Sequence, residues 1–340
     1  MKAEEMELIP IENIPQNETI PKNEPIFELT KTQHLWTLAI YYIAVVLECV
    51  AISFGGEVLI FVSRIITLLV LAFVIGTSQN VYHQYLVILP PEYLNGLLLG
   101  ENSGLIIVGI VFMISAFYNV ATISFIILPF LIWCLSKLLP VKCFKEVGKG
   151  ITFEIQYRIP DARDETFDRS LQLINTFILY FTTFTVFPMM IFETEIYREQ
   201  SFYDFFIPEQ MFVPSLFLLF GIFLTLGTSL AGYIKLTQKQ LFVSSIARTI
   251  FIIIFLFCNY RPQTRILPVL ITNENVYFIS LILFALSGGY LAARSEMNDH
   301  KIVRMTEPLK DGLFTSMTQS AGTFFGFFFS SIIMTLTDWF

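Results

Sequence analysis

The chain has 340 residues, of which 55% are hydrophobic and 14% charged, with a mean hydropathy of +0.67. Soluble domains carry nearer a quarter of charged residues, so most of this chain has no water-facing surface to cover, which argues against a soluble enzyme. A formal charge of −7 and a pI near 5.1 argue against a nucleic-acid partner, which needs a basic face.

Residues 1–34 form an acidic head, with Glu4, Glu5, Glu7, Glu12, Glu18, Glu24 and Glu28. Its prolines and low apolar content predict a disordered cytosolic tail. It lacks the basic start and apolar core of a signal peptide. A membrane-spanning helix needs about 20 mostly apolar residues. Such runs occur at Leu35–Phe54, Val58–Ser78, Leu94–Phe117, Val120–Leu139, Leu171–Phe192, Phe212–Tyr233, Phe242–Asn259, Val276–Ala293 and Leu313–Leu336. The expected fold is an all-α polytopic membrane protein of about nine spans. A first bundle of four spans covers 35–139, a cytosolic loop 140–170, and a second bundle of five spans 171–340.

Orientation follows from the lysines and arginines flanking the spans. With the tail cytosolic, only Arg198, Arg261 and Arg265 fall in outside loops. Arg64 and Arg248 lie within spans, and all the others fall in inside segments. This places the N-terminus in the cytosol and the C-terminus outside, with the plasma membrane as the expected location. Asn17-Glu18-Thr19 is a glycosylation sequon on the wrong side for use.

Ionisable groups inside spans carry a desolvation cost and are functional candidates. They are Glu48, Arg64, Glu101 with its neighbour Asn102, and Arg248. They read either as a polar path through the bundle or as interhelical pairs, with snorkelling as a further reading for the two arginines. Gly100-xxx-Gly104 and Gly322-xxx-Gly326 are small-residue pairs that let helices approach closely. Pro90, Pro129, Pro188 and Pro214 sit at span ends or interiors, as in the broken helices of transport cavities. Cys49, Cys134, Cys143 and Cys258 form no CxxC pair and read as small buried hydrophobes. His34, His83 and His300 lack ligand spacing, so no metal or other cofactor is expected. There is no HExxH, GxSxG or phosphate-loop pattern. The expectation is a transporter, channel or receptor rather than an enzyme.

The last third is more specific. Phe257-Cys258-Asn259 is followed by Arg261-Pro262, Leu267-Pro268-Val269 and Tyr277-Phe278. Then comes Ala285-Leu286-Ser287-Gly288-Gly289-Tyr290-Leu291-Ala292. This order resembles the C-terminal end of the equilibrative nucleoside transporters (the solute carrier family 29-like proteins). Further matches are colinear: Gln79, Leu89-Pro90-Pro91-Glu92-Tyr93 followed by Gly100, Phe187-Pro188, Phe212-x-Pro214 and Gly322-xxx-Gly326. The resemblance runs over about residues 57 to 336. It implies a major-facilitator-like bundle of six plus five helices, here lacking the first two. It also implies facilitative passage of nucleosides or nucleobases through a lipid bilayer by alternating access.

By that resemblance Gln79, Glu101, Asn102, Thr228 and Arg248 are the candidate substrate-binding residues. The departures are also informative. Family members carry Asn, Asp and Arg where this chain has Gly221, Leu224 and Thr228, and the last two hold the ribose. The Asn of the family's Ser-Asn-Gly-Tyr-Leu is Gly288, and the Gln of its fifth helix is Glu101. These changes imply impaired transport of ordinary nucleosides. They leave two alternatives: carriage of another small solute, or a degenerate, non-transporting membrane protein acting through partners. Accessibility labelling of intact cells should leave position 163 protected and position 199 reactive. The opposite pattern would overturn the orientation.

Overall fold

The computed structural model describes residues 91–118, 165–195, 209–262, 265–302 and 308–339, with the single positions 43, 56, 62, 63, 66 and 70. The expected spans over 35–54, 58–78 and 120–139 lie outside them apart from those single positions, as do Gln79, Glu48 and Arg64. The described chain is helical: α1 (Pro91–Tyr118), α2 (Glu165–Val186), α3 (Met189–Phe192), α4 (Glu209–Ala231), α5 (Gln238–Arg248), α6 (Ile250–Phe257), α7 (Glu274–Ile302) and α8 (Pro308–Trp339). No strand occurs among the described residues, only an isolated bridge between Thr194 and Tyr260. Six helical stretches are long and apolar enough to cross a membrane: Leu98–Tyr118, Arg169–Phe192, Met211–Ala231, Gln238–Phe257, Glu274–Asn298 and Gly312–Thr337. Each coincides with one of the expected runs, so the chain is an integral multi-pass membrane protein.

Local chemistry sets the helix ends. Pro188 cannot donate a backbone hydrogen bond, and it restricts the residue before it. Accordingly α2 stops at Val186 and the chain resumes as α3 at Met189. Thr237 opens α5 with a capping box, its side chain accepting from the Gln240 amide while Gln240 returns the bond. Thr249 separates α5 from α6 within one span. Its hydroxyl donates to the Ile246 carbonyl at 2.7 Å, a local bond that competes with the helical ladder.

Glycines mark the closest helix contacts. α8 lies along α2, where a Cβ on Gly322 would come within 2.8 Å of the Phe177 carbonyl and one on Gly326 within 2.7 Å of the Phe181 carbonyl. α4 lies between α1 and α7. At the α4–α7 crossing a Cβ on Gly227 would sit 2.1 Å from the Leu286 carbonyl, and one on Gly289 1.9 Å from the Leu224 carbonyl. The Gly322 pair is therefore a helix contact, as the sequence suggests. Gly100 and Gly104 meet nothing within 4 Å among the described residues. An aromatic core fills the space between α2, α4, α6 and α7. Within it Phe187 stacks on Phe220 at 4.0 Å and Phe284 meets both Phe251 and Phe255.

The loop after α6 closes one end of this bundle. The Arg265 guanidinium donates to the carbonyls of Leu256 (2.9 Å), Cys258 (3.0 Å), Tyr260 (3.0 Å), Leu267 (2.7 Å) and Pro268 (2.6 Å). Arg261 pairs with Glu193 at 3.5 Å, and the Ile266 amide donates to the Thr337 carbonyl at 3.1 Å. Cys258 is a free, buried thiol, as expected. Burial pushes it up to about 11, although the Arg265 guanidinium pulls the other way.

Inserting a methyl into the α4–α7 crossing has no room to be accommodated, because both partners are backbone. Gly289→Ala should lower stability in detergent by about 3 kcal/mol, in the upper range of overpacking and strain effects. Gly100→Ala should leave it within about 0.5 kcal/mol. Thermal unfolding of the two purified variants against the unsubstituted protein measures the difference.

Candidate functional site

Arg248, at the last residue of α5, is 1% exposed. Its guanidinium reaches two neighbouring helices. Nη1 donates to the Thr183 hydroxyl at 2.7 Å and the Leu179 carbonyl at 3.4 Å on α2. Nη2 donates to the Phe284 carbonyl at 3.1 Å, and Nε to the Ser287 hydroxyl at 3.4 Å, both on α7. The plane also lies 4.1 Å over the Phe284 ring, a cation–π geometry. Interhelical pairing, and not snorkelling to water, is therefore what this arginine does. Every acceptor is neutral, and among the described residues no carboxylate touches it.

Glycine makes room for this arrangement. A Cβ on Gly288 would come within 2.6 Å of Arg248 Nη2 and 3.4 Å of Leu224 Cδ1. The guanidinium and the Leu224 side chain thus close on one point, the space that a side chain at 288 would need. Leu224 belongs to the aromatic core and is 9% exposed.

One turn along α4, Thr228 is fully buried. Its hydroxyl accepts from Asn102 Nδ2 on α1 at 2.7 Å, and contacts the Leu224 carbonyl at 3.1 Å and the Gly289 carbonyl at 3.4 Å. Asn102 and Thr228, both candidates from sequence, are thus joined to each other across 126 residues of chain. Glu101 is exposed on α1 beside them. The structure brings Asn102, Thr228 and Arg248 around the Gly288–Gly289 step. Gln79 lies outside the described residues.

Sequence reasoning missed the groups that hold Arg248. Thr183 belongs to a run of polar residues on α2, Gln172, Asn175, Thr176 and Thr183, whose three-to-four spacing inside an apolar stretch is a helical face. The same face carries a second buried cluster where α2 and α8 begin and α7 ends. There Gln172, Asn175 and Thr176 converge on the Ser295 hydroxyl at 2.9, 3.1 and 3.2 Å. Glu296 accepts from Tyr180 at 3.2 Å and from Gln319 at 3.1 Å. Arg169 donates to Thr315 at 3.0 Å.

If Gly288 is the space the guanidinium needs, Gly288→Ala should displace Nη2 from the Phe284 carbonyl. The expected cost is about 1.5–3 kcal/mol, the usual worth of a hydrogen bond to a charged group. Thermal unfolding of Gly288→Ala and of Gly288→Ala with Arg248→Met tests it. In the double variant the effect of the alanine should nearly vanish.

Residues 158–335 match the family model described as Nucleoside transporter. No curated protein matches the chain.

Proposed function

The chain belongs to the nucleoside transporter family, the match at 158–335 covering more than half of its 340 residues, and from that premise we propose facilitative transport of nucleobase-like solutes by alternating access. The two halves move against each other around a site lined by Gln79, Glu101, Asn102, Thr228 and Arg248. The observation that carries this reading is the Asn102–Thr228 hydrogen bond at 2.7 Å. It joins α1, in the half before the long loop, to α4, in the half after it, across their buried seam. A polar contact placed between two moving bodies is one that a cycle can break and remake.

The end of the bundle where α2 and α8 begin faces the cytosol in this reading, and the Arg265 loop faces outside. The N-terminus is then inside and the C-terminus outside. Ordinary nucleosides are poor substrates. Leu224 and Thr228 stand where family members carry an acid and a guanidinium for the ribose, and the Thr228 hydroxyl is taken up by Asn102. Each charge-assisted bond is worth roughly 1.5–3 kcal/mol, so the loss of two weakens binding by roughly two to four decades at 1.4 kcal/mol per decade.

Labelled uridine uptake in a transporter-null cell, with surface expression verified, measures this. The expected result is uptake above the empty-vector level whose half-saturation lies far above the micromolar range, reduced further by Gln79→Ala. Saturation at micromolar uridine would overturn the weakened ribose site. Absence of exchange for every nucleoside, nucleobase and related acid offered would leave the non-transporting reading.

A further inference from the structure

We propose that the positive charge of Arg248 sets the selectivity of this site, and that the preferred solute is a small organic anion with a nucleobase-like ring. The inference rests on the transport reading above and names its substrate class. A guanidinium stays protonated in proteins, so the full charge is present in the interior of a membrane-spanning helix pair. The four groups that receive its hydrogen bonds are a threonine hydroxyl, a serine hydroxyl and two backbone carbonyls, and the ring beneath it is phenylalanine. These take four of its five N–H groups, and among the described residues no opposite charge compensates the guanidinium. Buried charges are ordinarily paired, and an ionisable group inside a membrane-spanning helix marks a solute path by default.

The position that could hold the opposite charge is occupied by Leu224, whose Cδ1 closes on the same point at Gly288 as the guanidinium. A solute that reaches the Leu224 face therefore meets a positive field across one apolar side chain. The other charges of the described spans do not cancel it. Glu296 is engaged with Tyr180 and Gln319, two helical turns farther along α7. Glu101 is exposed on α1 at the level of Thr228 and, among the described residues, does not touch Arg248. Arg294, which is buried, adds to the positive side. Among the described residues Arg294 reaches only Met297 Sδ at 3.6 Å and Asn298 Oδ1 at 3.4 Å on its own helix, and its buried Nε has no hydrogen-bond partner there.

A matched pair of probes isolates the charge: uracil, and orotate, which is the same ring bearing a carboxylate. Full-length protein in proteoliposomes loaded with the unlabelled probe should exchange labelled orotate at least about tenfold faster than uracil, a tenfold ratio corresponding to one decade in the binding constant. Leu224→Asp gives Arg248 an internal counter-ion and should abolish the orotate preference. Leu224→Asn, of similar size and uncharged, should retain it. Exchange of uracil without orotate would overturn the anion inference and leave the transport reading standing. Orotate exchange unchanged in Leu224→Asp would overturn the assignment to Arg248. Exchange of neither probe by a protein that unfolds cooperatively on heating would overturn the anion inference, the transport reading being decided by the uridine uptake above. The comparison of the two probes on the unsubstituted protein decides the matter even if the aspartate variant fails to fold.

Discussion

Two helix backbones can touch only where neither interposes a side chain, and the α4–α7 crossing is such a place. Gly227 and Gly289 each face a carbonyl of the opposite helix at a distance no Cβ could share. This approach draws Leu224 and Thr228 of α4 against the Gly288–Gly289 step of α7. It also leaves the pocket at Gly288 into which α5 sends a guanidinium. In lipid such contacts are favoured by van der Waals packing and not by water exclusion, which is why small residues mark them. A bulkier crossing would separate Thr228 from the Gly289 carbonyl and move Leu224 away from Arg248. The seam with α1 would shift with it, since Gly109 and Gly221 face Leu218 and Ile106 across the next interface.

The second constraint is the management of polarity away from water. Arg248 is served by α2 and α7 together, so the bonds that its N–H groups donate also pin the two helices. The α2 face repeats this logic toward its start, where an amide pair and a threonine converge on Ser295, and a tyrosine and a glutamine hold Glu296. Buried polar groups satisfied across helices fix which faces may meet, because any other register would strand them. A single apolar surface would permit α2 and α7 to slide.

The six described spans were legible because about 20 apolar residues in a row have few alternative fates. The site was legible in part. Arg248 and Asn102 stood out as polar residues in apolar runs, and Thr228 entered only through the family resemblance. Their partners did not, since Thr183 and Ser287 lie 65 and 39 residues from the arginine in sequence. The eighth apolar run ends at Ala293 by hydropathy, whereas α7 continues to Ile302 with Arg294, Ser295 and Glu296 buried. Hydropathy stops at the first charges; the helix does not, because α2 and α8 supply polar neighbours there. Gly100-xxx-Gly104 and Gly322-xxx-Gly326 are the same pattern, but only the second has a described helix against it. A spacing specifies a flat face and leaves the partner unspecified.

The loop behind Arg265 has a mechanical consequence. Its guanidinium gathers five carbonyls from both sides of a turn, and the same segment is joined to Glu193 at the end of α3 and to Thr337 near the end of α8. Three helical ends are thereby knotted at one pole of the bundle. A body fixed at one pole behaves as a lever: torque applied anywhere along α2, α6 or α8 turns them together. Splaying at this pole would break those bonds, so the loop is a clamp that holds the ends of α3, α6 and α8 as one unit.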